Sequence, residues 1–368
     1  MLEDKREATL RVVEVDPQRD ARWSAWLARQ PAALIYHHPV WLQVLADAFG
    51  YQPAHLACED ATTGQVCGVL PLLHMHGLIT GRRYSSLPRT PLAGPLARDA
   101  QARAALVQAA VSRVRREPHA QLQLKLATPS LDGLVAGLVG VAFRMTYVLE
   151  LPERVEALHL GDAHHQTSIK RAVNKAARHG VQVRAAERES ELRAWYGLYA
   201  ETMRWHAVPP RPYRFFEIAW NYMQPRGQMR LLLAEQRTAA RPRLLAGALY
   251  FMSGATVSYA FGGRRQEELA LRPNDAIHWQ AIHDACAAGF RHYDFGEVGS
   301  DNPGLAAFKQ KWGTVATPLY RYYYPAPREV EIGLLESQRR PQQLVKAAWR
   351  HMPLPLTTLL GDAAHRYF

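Results

Sequence analysis

One stretch of the sequence, residues 271–313, constrains the local fold more than any other. It reads LRPNDAIHWQAIHDACAAGFRHYDFGEVGSDNPGLAAFKQKWG. The opening Arg-Pro-Asn-Asp predicts a turn and a helix start, because proline fixes φ and Asn or Asp can cap free backbone N–H groups. Apolar residues follow at helical spacing over 276–288. Gly289 then predicts the end of the helix, since glycine tolerates a positive φ.

The rest of this stretch predicts a short strand, a loop and a second helix. Tyr293, Asp294 and Phe295 form the strand, and the loop after it is rich in Gly, Asn and Pro. The second helix carries Phe308, Lys309 and Trp312, so a lysine is presented beside two aromatic rings. This arrangement suits a site that binds or neutralises an anion.

Composition sets the broad class of the protein. The chain has 368 residues, enough for two domains, with 48% hydrophobic and 21% charged residues, which is typical of a globular protein. Neither a signal peptide nor a long apolar segment is visible, so a cytoplasmic protein is expected. Lys plus Arg number 45 against 33 for Asp plus Glu, and this excess favours a nucleic acid, a phosphorylated precursor or an anionic membrane as partner. A basic surface without a specific partner is the alternative.

Cysteine and histidine patterns argue against metal and redox chemistry. The three cysteines form no CxxC motif, and Cys58 and Cys67 are interpreted as reduced core thiols on paired strands. His74 and His76 would share one face of a strand, but no third ligand is visible at metal-binding spacing. No metal site is therefore predicted.

The remaining pattern predicts an α/β (α+β) chain whose two halves have the same order of elements: strand, helices, antiparallel strands, helix, strand. Residues 81–95 are interpreted as a loop. The main predicted helices cover 21–29, 39–50, 100–116, 164–179, 189–205 and 213–223, and the main predicted strands cover 11–15, 55–59, 66–76, 121–126, 143–151, 181–183, 229–235, 244–252 and 256–262.

The order RPND…hW..aI..A...G…YDFG…GL..FK.KWG resembles the Fem-type (FemAB/FemX) aminoacyltransferases, a branch of the GNAT acyltransferase superfamily. Members of this branch build peptidoglycan cross-bridges from aminoacyl-tRNA, or acylate cell-envelope polymers. The resemblance implies two tandem GNAT-like domains, each a mixed, mostly antiparallel sheet flanked by helices. They are expected at 1–160, completed by a returning strand at about 318–328, and at 161–317. A helical tail is predicted over 329–368.

The resemblance also implies a reaction centre at the Phe-Lys motif. Lys309 matches the lysine that lies there in the family, where a fixed cation would stabilise the negative charge that builds on a carbonyl oxygen. The alternative is a surface lysine on a short helix. Asp294, at a strand end, could orient an amine or accept its proton, or could simply cap the following loop. Lys311 is expected to face away from Lys309.

Two further segments resemble substrate-binding parts of the family. By that resemblance Arg211 would hold a diphosphate, Tyr213 would line the cleft, and Thr202 lies on the preceding helix. Arginine suits this role because its N–H donors form a fork that matches the oxygens of a phosphate. An interdomain linker arginine is the alternative. Arg82 and Arg83 precede a Ser-Leu-Pro segment that resembles the one beside the acceptor channel.

Phe308 and Trp312 complete the candidate substrate-binding set. Two features depart from the expected patterns. The junction at 271–275 has no glycine, and Pro273 lacks an N–H donor, which weakens a standard CoA site. No lysine follows Trp41, which weakens the expected contact to a nucleotide-linked acceptor.

The function predicted from these residues is aminoacyl transfer from aminoacyl-tRNA to an amine of a peptidoglycan precursor, either lipid-linked or nucleotide-linked, without a cofactor. An acyl-CoA-dependent acyltransferase of an exopolysaccharide or other envelope glycan is the alternative, and a non-catalytic GNAT-like binding module is the third. The basic tail segment 339–350 could contact the inner membrane face, although a helix packed on the protein is the preferred interpretation.

Overall fold

The computed structural model describes residues 9–77, 81–238, 242–326 and 342–367. Residue contacts divide the chain into a first unit, residues 1–143 and 319–329, and a second unit, residues 144–318 and 330–368. The division falls at residue 143 rather than at the expected residue 160. Residues 145–150 pair with a strand of the second unit, and Leu149, Leu151 and Leu160 join its core, which explains the difference.

The first unit contains two sheets. Its α-helices and strands are β1 (Leu10–Glu14), α1 (Ala21–Leu27), α2 (Pro39–Phe49), β2 (Gln52–Pro53), β3 (Leu56–Asp60), β4 (Val66–Leu70), β5 (Leu73–Gly77), β6 (Gly81–Ser85), β7 (Leu96–Ala97), α3 (Ala100–Arg116) and β8 (Gln121–Leu126). Strands β1, β3, β4 and β7 form an antiparallel sheet, and β2, β5, β6 and β8 lie in a second sheet in which β6 and β8 are parallel.

The other α-helices and strands of the described residues are β9 (Val139–Glu150), α4 (Ala163–Arg178), β10 (Val181–Ala185), α5 (Glu189–Trp205), α6 (Tyr213–Met223), β11 (Met229–Gln236), β12 (Arg243–Ser253), β13 (Thr256–Arg264), α7 (Pro273–Ala287), β14 (His292–Val298), α8 (Pro303–Gln310), β15 (Val315–Tyr324), α9 (Gln342–His351) and α10 (Leu354–Tyr367). The second unit contains a mixed sheet in which β10, β11, β12 and β13 are antiparallel, β14 runs parallel to β13, and β9 pairs with the other edge of β14. Strands β9 and β15 each carry the chain across the boundary between the units.

Each unit has helices beside a mixed, mostly antiparallel sheet, so the predicted fold class is confirmed. The loop prediction for 81–95 is wrong at its start, where Gly81–Ser85 forms β6. Pairing with β5 and β8 supplies the hydrogen bonds that local sequence does not reveal. Cys58 and Cys67 are buried, unoxidised and on paired strands, as expected. None of the helices in the described ranges combines the length and apolar character that crossing a bilayer requires.

The predicted helix at the RPND turn forms, but with a different cap. Arg272 is the N-cap residue, in a left-handed conformation, and no side chain caps this end. The side chain of Asp275 contacts Lys311 instead. Gly289 follows the helix with φ of +81°, as the sequence predicts. The end of the helix therefore follows the local prediction, whereas the carboxylate of Asp275 takes part in a tertiary ion pair instead of a cap.

A bulge in β13 determines which side chains face each side of the second sheet. Leu249 of β12 pairs with Phe261, whereas the next residue, Tyr250, pairs with Tyr259. Ala260 is therefore the extra residue of the bulge. Because paired residues point to the same face and neighbours along a strand point to opposite faces, Tyr259 and Phe261 lie on opposite faces.

Candidate functional site

Helix α8 places Lys309 in the interior of the second unit. The helix begins at Pro303 after Asn302, whose side chain accepts a hydrogen bond from the N–H of Leu305. Only 4% of Lys309 is exposed. Its Nζ donates to three successive carbonyl oxygens of β14, those of Phe295 (2.5 Å), Gly296 (2.9 Å) and Glu297 (3.3 Å).

These contacts correct two expectations about this lysine. It is not a surface residue, and its ammonium is directed at the backbone of β14 rather than presented to solvent. Burial lowers the pKa of Lys309 to about 8, although the carboxylates of Asp294 and Glu297 oppose that change. The group therefore remains mostly protonated at neutral pH.

Asp294 is held on β14 by two hydrogen bonds to the same oxygen. Its Oδ1 accepts from the hydroxyl of Thr146 at 2.9 Å and from the N–H of Gly296 at 2.7 Å. Gly296 has φ of +76° and lies in the irregularity between β14 and β9. Burial raises the pKa of Asp294, while these hydrogen bonds and the charge of Lys309 oppose the rise.

The Gly296 contact is the loop-capping role that the sequence offered as the alternative for Asp294. This role uses only one oxygen of the carboxylate, because both hydrogen bonds are accepted by Oδ1. Among the described residues, none donates to Oδ2 of Asp294. A carboxylate with one oxygen fixed and one available can hold an amine in a defined position.

Asp294 and Lys309 do not form a contact pair. Tyr293 and Phe295, on either side of Asp294, point into the core of the second unit, so the side chain of Asp294 points to the opposite face of the sheet. Lys309 comes from α8, whose Phe308 packs against His278 on the core side. In the described ranges no ion pair joins the two residues, and they are linked through the backbone of β14.

The face that carries Asp294 also carries the cluster around Arg211. Ser258 pairs with Asp294 across the parallel strands and with Phe251 on β12, so all three share one face with Phe261. The guanidinium of Arg211 lies 4.8 Å from the centre of the Phe261 ring. Three residues along a strand span roughly 10 Å, so Phe261 lies about that far along β13 from Ser258, the residue that pairs with Asp294.

The other two members of this cluster have defined contacts. The hydroxyl of Tyr213 donates to Glu189 at 3.3 Å, the guanidinium of Arg193 lies over its ring, and burial raises its pKa to about 12. The hydroxyl of Thr202 is buried and bonds both the carbonyl of Leu198 and the N–H of Arg264. Thr202 therefore joins α5 to the end of β13.

An ion pair that sequence reasoning missed lies at the start of α7. Asp275, in the first turn of that helix, is 4% exposed and its Oδ1 contacts Nζ of Lys311. Lys311 thus turns away from Lys309, as expected, but toward the interior. The carboxylate also lies in the first turn of the helix, near the N-terminus at which an anion such as a pyrophosphate is otherwise favoured.

A second missed feature is a buried polar network on the core face. Nδ1 of His278 lies 2.8 Å from the hydroxyl of Tyr293, which donates to the hydroxyl of Tyr250 at 3.1 Å. Burial lowers the pKa of His278 to about 3, so the ring is neutral. The only sequence signal was a histidine on an otherwise apolar helix face.

Trp312 belongs to the core around His278 rather than to an open site. Its side chain has 0% exposure, and its Nε1 has no hydrogen-bond partner among the described residues. This placement argues against the predicted direct contact of Trp312 with substrate. Phe308 is half-buried, with its ring 5.7 Å from that of His278.

The remaining candidates, Arg82 and Arg83, lie on β6 in the first unit. Arg82 is half-exposed and its NH1 lies 3.4 Å from Oε1 of Glu117. Burial lowers the pKa of Arg83, and its Nε is buried without a hydrogen-bond partner in the described ranges. A buried guanidinium with an unused donor is able to bind an anion.

Comparison with known proteins agrees with this architecture. Residues 163–310 match the family described as an acetyltransferase (GNAT) domain. The crystal structure of FemX superimposes with a TM-score of 0.63 and 16% identity, over 88% of this chain and 99% of that one. L-PGS from Bacillus licheniformis gives 0.53 and 10%, over 82% and 96%. A tandem GNAT protein from the clavulanic acid biosynthesis pathway gives 0.53 and 12%, over 87% and 100%.

No curated protein sequence matches the chain significantly. At these identities the structural matches establish the fold, and they cover almost the whole length of each of the three neighbours. The family match lies on the segment that holds Asp294 and Lys309. Residues 163–310 therefore resemble a GNAT acetyltransferase domain, and the chain shares its fold with FemX and with a tandem GNAT protein.

Proposed function

We propose that the protein transfers an aminoacyl group from aminoacyl-tRNA to an amine of a peptidoglycan precursor. The observation that carries this choice of donor is the pair Asp275–Lys311 at the start of α7. A buried carboxylate at a helix N-terminus opposes a second anion there, and Pro273 removes one of the N–H donors. A pyrophosphate of CoA therefore lacks its usual binding position, whereas an aminoacyl ester needs none.

The proposed chemistry uses Asp294 as the group that receives the acceptor amine. Oδ2 of Asp294 accepts a proton from the amine as its nitrogen attacks the ester carbonyl of the donor. The C–N bond forms, the C–O bond to the tRNA ribose breaks, and the proton passes to the departing hydroxyl. Negative charge builds on the carbonyl oxygen during the attack and requires stabilisation.

Lys309 would act on this charge through its field rather than through a hydrogen bond. Its three protons are already donated to the carbonyls of residues 295–297. It would therefore do two things: keep positive potential next to β14, and hold the backbone that positions Asp294. Both need the charged form, which the pKa of about 8 provides at neutral pH.

Basic residues would recognise the phosphates of the substrates. Arg211 shares the face of Asp294 and would hold the diphosphate of a lipid-linked or nucleotide-linked acceptor. Arg82 and Arg83 of the first unit are the other proposed phosphate contacts. The net charge of +12 suits tRNA and an anionic membrane surface alike. A place in the cytoplasm, with peripheral contact to the inner membrane face, fits these partners.

The second candidate is an acyl-CoA-dependent acyltransferase acting on an envelope glycan. The tandem GNAT protein from the clavulanic acid biosynthesis pathway was solved without AcCoA, which associates that compound with that protein. The absence of a lysine after Trp41 also favours this candidate, and the buried Asp275 opposes it. A non-catalytic binding module is the third candidate, in which Asp294 and Lys309 would serve stability alone.

Donor competition on the purified protein tests the proposal. Labelled glycyl-, alanyl- and seryl-tRNA, and separately acetyl-CoA, are offered with a lipid-linked muropeptide to wild type, Asp294→Asn and the surface control Lys170→Ala. We expect transfer from a tRNA, lost in Asp294→Asn and retained in the control. Transfer from acetyl-CoA alone would move the protein to the second candidate. No transfer from either donor would favour the third.

The role of Arg211 is tested with two acceptors that differ only in phosphate. For Arg211→Ala we expect KM to rise at least tenfold for the diphosphate-linked muropeptide and to stay unchanged for the same muropeptide without phosphate. An equal rise for both acceptors would assign Arg211 to the stability of the α6 region instead.

A further inference from the structure

Two histidines of β5 lie together with a glutamate on the first unit. His74 and His76 share one face of the strand because they are two residues apart. Glu117 follows the end of α3 and reaches the same face. One nitrogen of each histidine and one carboxylate oxygen of Glu117 all lie within 4.8 Å of one another. The sequence spacing hides this third residue, and the packing of α3 supplies it.

The distance between His74 and Glu117 already suits a metal ion. Nε2 of His74 lies 3.4 Å from Oε2 of Glu117. Ligands of a tetrahedral zinc at roughly 2.0–2.2 Å from the ion are about 3.3–3.6 Å apart. His76 is exposed, so its ring can make the small movement that completes the set.

An unused polar atom gives independent support. Nε2 of His74 is buried, and although it lies near Glu117 it makes no hydrogen bond of acceptable geometry within the described residues. Buried side-chain nitrogens are normally bonded, and one directed at a carboxylate and a second imidazole suits a cation between them.

Neighbouring side chains hold the group in place. The ring of Tyr84 stacks on His74 with centroids 4.3 Å apart, and its hydroxyl donates to Oε2 of Glu117 at 2.9 Å. Such outer contacts orient metal ligands and tune their affinity. Arg82 also reaches Oε1 of Glu117, but its side chain is 51% exposed and can turn into solvent when a cation enters.

We propose that His74, His76 and Glu117 form a zinc site. Two imidazoles and one carboxylate are a ligand set that Zn²⁺ accepts, with water completing the fourth position. The ion would connect the β5–β6 hairpin to the end of α3. Its positive charge would also displace the guanidinium of Arg82 from Glu117. It makes no contact with Asp294 or Lys309 in this proposal, so the test does not depend on acyl transfer.

Zinc titration of the full-length, chelator-treated protein tests the site. A chromophoric chelator competes for Zn²⁺ with wild type, with His74→Gln, His76→Gln and Glu117→Gln, and with His164→Gln as a control on an exposed histidine elsewhere. We expect one Zn²⁺ per chain for wild type and the control, and affinity at least about tenfold weaker in each of the other three.

Cobalt provides a second readout, because four-coordinate Co²⁺ absorbs visible light strongly. We expect this absorption in wild type and its loss in Glu117→Gln, with unchanged circular dichroism of the metal-free proteins. Wild-type affinity in Glu117→Gln would mean that the histidine pair chelates alone, and the three-ligand site would be wrong. The absence of stoichiometric zinc from the wild type would also overturn it.

Discussion

At the scale of single residues, a buried lysine in each unit holds the backbone of a neighbouring segment. Nζ of Lys309 donates to three carbonyls of β14, and Nζ of Lys125 donates to the carbonyls of Leu87 and Thr90 at 2.8 Å each. A buried charge is costly unless its donors are satisfied, and carbonyl oxygens satisfy them here. Both lysines therefore stabilise particular backbone shapes.

Removing the amine of Lys309 should affect stability and catalysis together. In Lys309→Met, which keeps the apolar stem, carbonyls of residues 295–297 lose their donor, so we expect a loss of about 2 kcal/mol in unfolding free energy. We also expect acyl transfer to fall at least about 100-fold. Urea unfolding and single-turnover transfer measure the two, with Lys170→Ala as control. Full transfer by the folded variant would show that the charge takes no part in the reaction.

The pH dependence of transfer should show both candidate groups. The charged form of Lys309 is required, so kcat/KM should fall as pH rises through about 8. The ionised form of Asp294 is required, and because its pKa is raised, the acidic limb should lie above the ordinary carboxyl range. In Lys309→Arg, whose guanidinium does not titrate here, the alkaline limb near pH 8 should disappear. Its persistence would assign that limb to another group.

At the scale of elements, close packing of α5 on β13 positions the face that carries Asp294 and Arg211. A Cβ added at Gly263 would lie 2.5 Å from the backbone nitrogen of Tyr199, whereas one added at Gly197 would meet nothing within 4 Å. Only a glycine at position 263 lets the helix backbone approach the strand. The Thr202 hydroxyl bonds the next strand residue, Arg264, and fixes the same contact.

These two glycines form a matched pair for a stability test. Gly263→Ala should lower the unfolding free energy by about 1–3 kcal/mol, because neither the strand nor the helix backbone can move aside cheaply. Gly197→Ala, in the middle of α5, should be neutral or should stabilise by about 0.5–1 kcal/mol through helix propensity. Thermal or urea unfolding measures both. Equal effects would mean that the close approach of α5 and β13 is not required.

At the scale of the whole molecule, charge is the property most relevant to the proposed partners. Twelve more basic than acidic residues favour association with a polyanion, and release of counterions makes such binding sensitive to salt. In the basic tail segment, Arg339 and Arg340 and the side chain of Lys346 lie outside the described residues. Arg350 donates to the carbonyl of Trp205, which packs α9 on α5.

Aminoacyl-tRNA binding should therefore weaken steeply with ionic strength. Between 50 and 200 mM salt we expect the dissociation constant to rise at least about tenfold, because a few phosphate contacts release counterions when they form. Fluorescence anisotropy with a labelled, non-hydrolysable aminoacyl-tRNA analogue measures it, and a short uncharged ester serves as control. A dissociation constant that does not change with salt would contradict tRNA as the donor.

Local sequence was sufficient for the elements and for the family-like segment. Helix α3 and strand β8 have the predicted bounds, and the strand with Asp294 and the helix with Lys309 form where the 271–313 pattern places them. Periodicity and turn residues determine such features because they depend on neighbours three or four positions away. The chemical role of each candidate side chain could be predicted from the sequence, but its exposure to solvent and its hydrogen-bond and ion-pair partners could not.

Tertiary structure alone decided how these side chains are used. The burial of Lys309 among carbonyls, the Asp275–Lys311 pair and the meeting of Glu117 with two histidines all join residues that are far apart in the chain. The bulge at Ala260 decides which face each residue of β13 occupies, and a shift of one residue reverses that choice. Packing therefore determines which charges become neighbours, and no local pattern encodes it.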